Sequence, residues 1–539
     1  MIRTVGGLWA LMTCFAQAAT LELIRQAVDQ LAAEPLVQSQ ARHQHVAQRR
    51  SGPIVMVRRG ASAFAPENSL EAYAAAMDYG ADGCEVDIRR THDGVLVLFH
   101  DESLDLLTEG FGPLRGMTLA QLQGLTPRFG FARQTGVTPP TLVALLNLAR
   151  QRAMLLHLDI MEPGLESEIA RLMDQADAWD HIVAVNPSNA GEFLKDPKLR
   201  LLRYKAPDLY QERRDVDPSS VASALAAPGE MILVDDPRVA VHALAREAYH
   251  PMALLREFHI SLVRSLPASQ VQPTGDLNVA DYLRSFIQHV NPNTPDGLLK
   301  VLDASLSEAA EPDGDATYRR LRVERIVQRA WAAQRLGGLA ASSRHSVRAL
   351  EHIVETPAVD YEWMVDGLDG AEAARALGRL GAADSIPTLI AAIERVDPAL
   401  RWSPLPIESS DPTALPDWRV KMGAFVALGD LRGRTVRKFL WRYINTDSTD
   451  AHELEPLYEL AAKALLQQPL AWDQIEPLLR HKNLAVRGTA ILECLDRLTE
   501  KRHKALENAA PWALELPHAP HLSPNRPKPA STATPRHKS

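Results

Sequence analysis

Cysteine is scarce in this chain, with three residues among 539, at positions 14, 84 and 494. The first falls in a segment that we expect to be removed, and the other two lie in different halves of the chain. The spacing therefore gives no sign of a disulfide framework. Cys84 lies within an apolar strand pattern, so we interpret it as a small buried residue rather than a nucleophile.

Long apolar runs are also missing, so we expect no transmembrane span. The apolar stretch at residues 5–16 has about twelve residues, too few to cross about 30 Å of hydrocarbon. Arg3 precedes it and Ala16-Gln17-Ala18 ends it, which predicts a signal peptide over residues 1–18. We therefore expect export to the periplasm or the extracellular space. A lipoprotein-type signal ending at Cys14 is the alternative.

The chain lacks an excess of positive charge, with 59 Lys and Arg against 67 Asp and Glu and a net charge of -8. Nucleic-acid binding depends on basic patches, so this balance argues against a nucleic-acid partner. A small phosphate-bearing substrate is compatible with this net charge, because one local cluster of basic side chains is enough to bind it. Apolar residues (46%) and charged residues (23%) are in the ordinary proportions of a globular protein.

Short apolar segments alternate with helical stretches between residues 51 and 250, which is typical of an α/β fold with parallel strands. We therefore predict a TIM-type (β/α)8 barrel over this region. The pattern indicates strands at residues 54–57, 83–88, 95–99, 154–160, 181–185, 201–204 and 231–234. The missing strand is expected between residues 206 and 226.

The rest of the chain has helical patterns, which adds an all-α part to the α/β barrel. An Ala-rich string ending in Leu-Gly-x-Leu occurs at residues 336–339, 377–380 and 428–431. Amphipathic helices in such units must stack to bury their apolar faces, and the units resemble HEAT-like repeats; an irregular helical domain is the alternative. The remaining predicted regions are an N-terminal helical segment (19–50), a helical connector (251–320), the repeat array (321–510) and a disordered tail (511–539).

Several polar side chains stand at the ends of the predicted strands. Glu85 and Asp87 are two residues apart on one strand and therefore point to the same face, and Asp159 ends a later strand. Neighbouring carboxylates repel unless a cation or protons intervene, and oxygen ligands suit Mg²⁺ or Ca²⁺. Active sites of such barrels form at the C-terminal ends of strands, so we expect these acids to meet His100 and Arg59 at one mouth.

The order of these motifs resembles the glycerophosphodiester phosphodiesterase family. The resemblance covers residues 55–112 and continues more loosely to about residue 245. It is carried by Arg59-Gly60-Ala61-Ser62, Pro66-Glu67-Asn68-Ser69, Gly80-Ala81-Asp82, Glu85-Val86-Asp87, Asp93-Gly94 and His100-Asp101-Glu102. It implies a metal-dependent barrel that cleaves a phosphodiester, releasing glycerol phosphate and an alcohol.

The same resemblance implies roles for individual residues. His100 would act as the general acid and Arg59 would bind the phosphate. The implied metal ligands are Glu85, Asp87 and Asp159. Our candidate catalytic residues are His100, Arg58, Arg59 and Glu67, and our candidate substrate contacts are Arg59 and Asn68.

Four positions depart from the family pattern. The family begins its first motif with His-Arg-Gly, where this chain has Arg58-Arg59-Gly60, and an arginine cannot act as a base at neutral pH. Leu106 stands in place of an arginine and Met161 in place of a lysine, which removes cations near the phosphate. Asp159 replaces a glutamate and is one methylene shorter, so the metal would shift or accept a water.

Two functions remain open on these grounds. In the first, the protein is a phosphoric diester hydrolase acting on glycerophosphodiesters or related lipid head-group esters, with the metal, Glu67 and Arg58 compensating for the lost histidine. In the second, the barrel is catalytically weakened and the chain is a binding or scaffold protein whose repeats offer a surface to a protein partner. General acid–base catalysis typically raises a rate by about 10²–10⁴-fold, so the loss of the histidine is compatible with both functions.

Overall fold

The computed structural model describes residues 30–129, 132–133, 137–186, 210–213, 221–223, 231–245, 259–260, 294–303, 316–339, 343–358, 367–395, 415–446 and 455–515. The predicted signal peptide (1–18), the predicted strand at 201–204 and most of the predicted connector (251–320) lie outside the described residues.

A curled parallel β-sheet forms the centre of the N-terminal half. In chain order, the described strands are β1 (Ala32–Ala33), β2 (Ile54–Val57), β3 (Gly83–Arg90), β4 (Leu96–Leu98), β5 (Arg128–Phe129), β6 (Ala132–Arg133), β7 (Leu155–Ile160), β8 (Ile182–Asn186), β9 (Tyr210–Arg213), β10 (Met231–Val234) and β11 (His259–Ile260). Parallel neighbours follow the order β8-β7-β3-β2-β10-β9. The late strand β10 thus returns to β2, the first strand of the sheet, which is the arrangement of a TIM-barrel-like fold.

The strand pairing corrects one prediction and confirms another. The prediction of a barrel strand at 95–99 is wrong, because β4 pairs antiparallel with β3, with Leu98 opposite Ile88. The short turn at Gly94, whose φ is +85°, allows only this pairing, since a parallel crossover needs a dozen or more residues. The strand expected between 206 and 226 is present as β9 and is parallel to β10.

The two faces of the sheet differ in chemistry because side chains alternate along each strand. One face carries Val57, Cys84 and Val86, which pack into the largest buried apolar cluster. Cys84 is buried, as predicted. The other face is apolar near the start of the strands, where Met56 and Leu155 pack together, and it becomes acidic toward their C-terminal ends.

Helices surround this sheet. The described helices of the N-terminal half are α1 (Leu36–Ser51), α2 (Leu70–Asp78), α3 (Leu119–Gln123), α4 (Leu142–Arg152), α5 (Glu166–Ala176) and α6 (Pro237–Ala243). The hydroxyls of Ser69 and Thr141 cap α2 and α4, each accepting a backbone N–H at 3.1 Å. Helix α1 lies at the opposite end from the acids, where its buried Val46 joins the cluster of Met56 and Leu155.

The C-terminal half of the described chain is helical. Its helices are α7 (Pro295–Asp303), α8 (Ala316–Gly338), α9 (Arg344–Glu355), α10 (Leu368–Arg379), α11 (Ile386–Glu394), α12 (Leu415–Asp430), α13 (Arg434–Ile444), α14 (Glu455–Leu466), α15 (Trp472–Ile475), α16 (Leu484–Asp496) and α17 (Glu500–Ala509). Across the described ranges, no helix has the length and apolar character needed to cross a bilayer. The predicted disorder of the tail does not hold for its first residues, because Pro511–Glu515 form a 3-10 helix with Ala513 buried.

The repeated Leu-Gly-x-Leu strings end α8, α10 and α12, and their glycines share a packing role. A Cβ added at Gly337 would lie 2.9 Å from the Cα of Ala376 on α10. One added at Gly378 would lie 2.7 Å from the Cα of Ala427 on α12. Glycine is therefore needed at these two positions because each helix approaches the backbone of the next.

Candidate functional site

The loop after β2 turns sharply at Arg59 and Gly60, whose φ angles are +52° and +78°. The turn brings the start of α2 back over the strand end, where Asn68 N–H donates to the Arg59 carbonyl at 2.9 Å. A left-handed φ at a non-glycine residue costs of order 1–3 kcal/mol, and such strain is typical of functional sites. At Gly60 a side chain has no room, because an added Cβ would lie 2.8 Å from the Cβ of Ala72.

We expect Gly60→Ala to destabilise the protein by at least about 2 kcal/mol, because left-handed backbone strain and the contact with α2 add together. Thermal unfolding of the purified variant measures this loss. Gly381→Ala is the matched control, since Gly381 also has a left-handed φ of +67° but has nothing within 4 Å of an added Cβ. Equal losses in the two variants would contradict the role of the close contact.

Hydrogen bonds from the side chain of Asn68 fix the position of Asp87. Its Nδ2 donates to Asp87 Oδ2 at 2.7 Å, and its Oδ1 accepts from the Tyr73 hydroxyl at 2.6 Å and from the Asp87 backbone N–H at 3.3 Å. The residue is buried, with its backbone at a φ of +54°. The amide of Asn68 is thus engaged with Asp87 and Tyr73, and its contact with substrate stays a prediction.

Three carboxylates converge at the C-terminal ends of β3 and β7. Asp87 lies directly opposite Asp159 in the register of the two strands, and Glu85 points to the same face as Asp87. One oxygen from each of Glu85, Asp87 and Asp159 lies within 4.8 Å of the others. The predicted acidic cluster is therefore present as a geometric group.

The electrostatics of the cluster oppose full ionisation. Burial and the neighbouring Asp87 carboxylate raise the pKa of Glu85 to about 8. Burial and Asp87 also raise the pKa of Asp159 to about 6, although a hydrogen bond with Asn186 lowers it. Three close acids hold their charges at neutral pH only when a cation compensates for them.

The oxygens of the cluster are also short of hydrogen-bond donors. Within the described part of the chain, Glu85 Oε2 and Asp87 Oδ1 are buried and accept no hydrogen bond. Leaving a buried charged acceptor unsatisfied is costly, and a divalent cation that prefers oxygen ligands would satisfy both atoms. The residues present therefore fit a divalent metal.

Arg59 joins this cluster to the loop before α2. Its Nη1 donates to Glu67 Oε1 at 2.9 Å, and its Nε lies 3.3 Å from Asp87 Oδ2. Burial alone would lower the pKa of the Arg59 guanidinium, but the charges of Glu67, Asp87 and other acids raise it by more. The pKa is therefore above its ordinary value, and Arg59 stays charged. The structure therefore ties Glu67 to Arg59, and it places Arg59 beside the acids as predicted.

Arg58 stands at the end of β2, on the same side of the sheet as the acids. Its backbone N–H donates to the Val234 carbonyl of β10 at 2.9 Å. The pKa of Glu85 is raised by burial and by Asp87, and the positive charge of Arg58 opposes that rise. Arg58 thus adds positive charge near the cluster without being able to act as a base.

His100 and Asp101 form a pair at the same mouth. His100 Nδ1 lies 2.7 Å from Asp101 Oδ1, and the His100 carbonyl accepts from Arg89 Nε at 2.8 Å. Burial would raise the pKa of Asp101, but the hydrogen bond and charge of His100 lower it, so the carboxylate is ionised. An ionised carboxylate only accepts hydrogen bonds, so Nδ1 donates to Asp101 and Nε2 is the nitrogen that Asp101 does not engage. The residue before His100 lies beside the acids, because the Phe99 N–H donates to the Asp87 carbonyl at 3.0 Å, and the charge of His100 opposes the rise that burial causes in the pKa of Asp159.

The comparisons with known proteins point to one family. Residues 59–185 match the glycerophosphoryl diester phosphodiesterase family. The chain is 30% identical over 164 residues to a glycerophosphodiester phosphodiesterase of Caldanaerobacter subterraneus, across 29% of this chain and 67% of that protein. The chain belongs to the glycerophosphodiester phosphodiesterase family.

Other relatives match over shorter stretches. A probable glycerophosphodiester phosphodiesterase 1 of Mycobacterium tuberculosis is 52% identical over 73 residues, or 14% of this chain and 27% of that protein. The human glycerophosphodiester phosphodiesterase 1 is 46% identical over 69 residues, or 13% of this chain and 21% of that protein. The chain thus spans about a quarter of the length of these two relatives.

Two solved structures are also similar. A glycerophosphodiester phosphodiesterase from Agrobacterium tumefaciens has 20% identity and a TM-score of 0.30, covering 36% of this chain and 99% of its own. A phosphodiesterase from Oleispira antarctica, solved in complex with the product sn-glycerol-3-phosphate, has 22% identity and a TM-score of 0.28, covering 36% of this chain and 97% of its own.

The structure adds site residues that the motif analysis missed. His157 lies opposite Glu85 in the strand register, and burial lowers its pKa to about 4, so the imidazole is neutral. Its position two residues before Asp159 on the same strand was the available signal. Asn186 lies opposite Asp159 at the end of β8, and only the strand register reveals it.

Proposed function

We propose that the protein is a divalent-metal-dependent phosphoric diester hydrolase that acts on glycerophosphodiesters or related lipid head-group esters. The observation that carries the proposal is the buried cluster of Glu85, Asp87 and Asp159 beside His100. Membership of the family supports the reaction class, and the unsatisfied carboxylate oxygens support the metal. Both Mg²⁺ and Ca²⁺ suit the oxygen ligands.

The side chains at the mouth have complementary roles in this proposal. Glu85, Asp87 and Asp159 would hold the metal, which would neutralise phosphate charge and favour attack of a water molecule on phosphorus. Arg59 binds the phosphate oxygens. Asp101 orients His100 so that its Nε2 donates a proton to the alcohol oxygen when the phosphorus–oxygen bond breaks.

A second candidate function is a binding or scaffold protein with a catalytically weakened barrel. The observation that favours it is Arg58, which stands at the strand end where the family has a histidine and cannot accept a proton at neutral pH. Met161 favours it as well, since it replaces a cation. The retained cluster of acids argues for the hydrolase, because an inactive barrel gains nothing from burying like charges together.

A diester panel with a metal titration tests the proposal. The purified protein is freed of metal with a chelator and then supplied with Mg²⁺ or Ca²⁺ and with glycerophosphocholine, glycerophosphoethanolamine or glycerophosphoglycerol. Metal-dependent release of glycerol phosphate supports the hydrolase. Metal binding without turnover of any diester supports the second candidate, and the absence of both contradicts the metal site itself.

We expect Arg58→His to raise kcat by at least about tenfold, since general acid–base help is typically worth about 10²–10⁴-fold. The new imidazole would stand beside the acidic cluster, where the charge of Arg58 now acts on Glu85. Initial rates at saturating substrate and metal measure the gain. Arg171→His is the control, since Arg171 lies on α5 and its Nη1 donates to Gln175 of the same helix at 3.1 Å. No gain in a folded variant would show that the other departures, Leu106, Asp159 and Met161, limit the rate.

Three further features belong to this proposal. We infer that the parallel sheet closes into an eight-stranded barrel, which the pairing of β10 with β2 supports. We infer that the C-terminal helices are HEAT-like repeats able to offer a surface to a protein partner, which the shared glycine contacts support. We also infer export to the periplasm or beyond, on the strength of residues 1–18 alone.

A further inference from the structure

The segment that follows His100 begins and ends beside residues of the proposed site. We call this segment, residues 101–128, the mouth loop. It begins at Asp101, which binds His100, and it ends at Arg128. Arg128 lines a cavity of about 30 Å³ together with Glu67 and Asn68, the residues that hold Arg59 and Asp87. A shift of the mouth loop would therefore move the proposed acid.

A buried ion pair fixes the first part of the mouth loop to the C-terminal helices. Arg419 of α12 donates from Nε to Asp105 Oδ2 at 2.8 Å and from Nη2 to Asp105 Oδ1 at 3.3 Å. The Arg419 side chain is 4% exposed and the Asp105 side chain 0%. The Ser103 hydroxyl donates to the same carboxylate. A two-point contact between a planar guanidinium and a carboxylate fixes both distance and orientation.

A second buried pair fixes the end of the mouth loop. Arg128 Nη2 donates to Glu372 Oε1 of α10 at 2.6 Å. Burial would raise the pKa of Glu372, but the charges of Arg128, Arg375 and Arg379 lower it to about 2. The carboxylate therefore stays ionised at any pH near neutrality, so its attraction for the Arg128 guanidinium does not depend on pH in that range.

Apolar contacts lie between the two ion pairs. Phe111 inserts into a buried cluster that includes Ile326 of α8 and Leu368 of α10. Gln334 of α8 donates to the Glu109 carbonyl at 3.3 Å. The mouth loop is thus held by α8, α10 and α12 at successive points along its length.

We infer that the C-terminal helices position the mouth loop, and with it the His100–Asp101 pair, so that Arg419 and Glu372 are positioning residues for hydrolysis. This inference rests on the proposed function. Apolar contacts such as that of Phe111 would be enough to hold the mouth loop against the C-terminal helices. Buried ion pairs cost desolvation free energy, and they also fix the orientation of the loop on the helices. Misplacing a reacting group by about 1 Å can lower a rate about 10²-fold, so a loosened loop has a large effect on catalysis.

The test compares two neutralised aspartates, Asp105→Asn and Asp369→Asn. Asp369 is the matched control, since it is fully buried and pairs with Arg329 at 3.0 Å, but both partners lie within the C-terminal helices. We expect Asp105→Asn to lower kcat by about 10-fold to 100-fold with little change in KM. We expect Asp369→Asn to lose thermal stability while kcat stays within about twofold. Equal kcat values in the two variants would overturn the inference.

A second variant covers the case in which Asp105→Asn fails to fold. Replacing a buried ion pair by apolar groups of similar volume is often neutral for stability, so Asp105→Leu combined with Arg419→Met is expected to fold. The same loss of kcat is expected there, and wild-type kcat in this folded double variant would overturn the positioning role.

Hydrogen exchange separates this inference from the proposed function. Amides of the mouth loop are expected to exchange at least about tenfold faster in Asp105→Asn than in the wild type, and to be unchanged in Asp369→Asn. This readout does not depend on turnover. An inactive wild type with unchanged loop exchange in Asp105→Asn would contradict both ideas, whereas an inactive wild type with faster exchange would contradict the hydrolase alone.

Discussion

Glu85→Gln is expected to remove divalent-metal binding at the mouth and to lower metal-dependent diester cleavage by more than about 100-fold. Substitution of groups that only orient the metal ligands lowers metal affinity or activity by about 10–100-fold, so the loss of a charged ligand should lower them by more. Isothermal calorimetry with Mg²⁺ and Ca²⁺, together with release of glycerol phosphate, measures the two effects.

The same substitution is expected to stabilise the metal-free protein. Burial and Asp87 raise the pKa of Glu85 to about 8, well above its ordinary value of 4.5. As pH rises above that ordinary value, the unfolded chain loses a proton that the folded protein keeps, so stability falls toward pH 8. Glutamine removes this effect, so the metal-free Tm at pH 7 should rise while added metal no longer raises it.

Asp78→Asn is the control for Glu85→Gln. Asp78 lies on α2 and pairs with Arg152 at 2.6 Å, away from the acidic cluster. We expect its removal to leave metal affinity and kcat unchanged. Metal binding of wild-type affinity in Glu85→Gln, with the control also unchanged, would show that the cluster is not the metal site.

The strand pattern predicted the parallel strands well where a long connection separates two apolar runs. It was wrong at residues 95–99, where an equally apolar run forms the antiparallel strand β4. The composition of a strand does not encode its direction, but the length of the connection does. The turn at Asp93-Gly94 was therefore the signal that distinguished β4 from a barrel strand.

The candidate site was predictable where it depended on residues close in sequence. Glu85 and Asp87 follow from the two-residue period of a strand. The approach of Asp159 to Asp87 depends on strand register, which is a tertiary property. The left-handed backbone of Asn68 turns its amide toward Asp87, and residue type alone does not reveal this contact.

Contacts between the two halves of the chain could not be predicted from the sequence. Asp105 and Arg419 are separated by 314 positions, and each alone has the pattern of an ordinary charged residue. Their burial becomes intelligible only when α12 packs on the mouth loop. The sequence predicted two adjacent regions, a barrel and an array of helices, and the structure adds the buried contacts by which the helices bind the mouth loop.

His100→Ala is expected to lower the kcat for glycerophosphocholine by about 10²–10⁴-fold, the usual contribution of a general acid or base. Asp101 holds Nδ1 of His100, so the proton that leaves with the alcohol comes from Nε2. Metal affinity should be unchanged, because the imidazole lies outside the group of Glu85, Asp87 and Asp159. Single-turnover rates at saturating metal measure the loss.

His43→Ala is the matched control, since His43 Nδ1 binds Asp180 at 2.6 Å but lies on α1, beneath the opposite end of the sheet. Its kcat should equal that of the wild type. The leaving group provides a further check on the role of His100, because a 4-nitrophenyl diester expels a stable anion that needs no proton. We therefore expect His100→Ala to lose far less activity on that diester than on glycerophosphocholine. Equal losses on both substrates would mean that His100 orients substrate or metal and does not donate the proton.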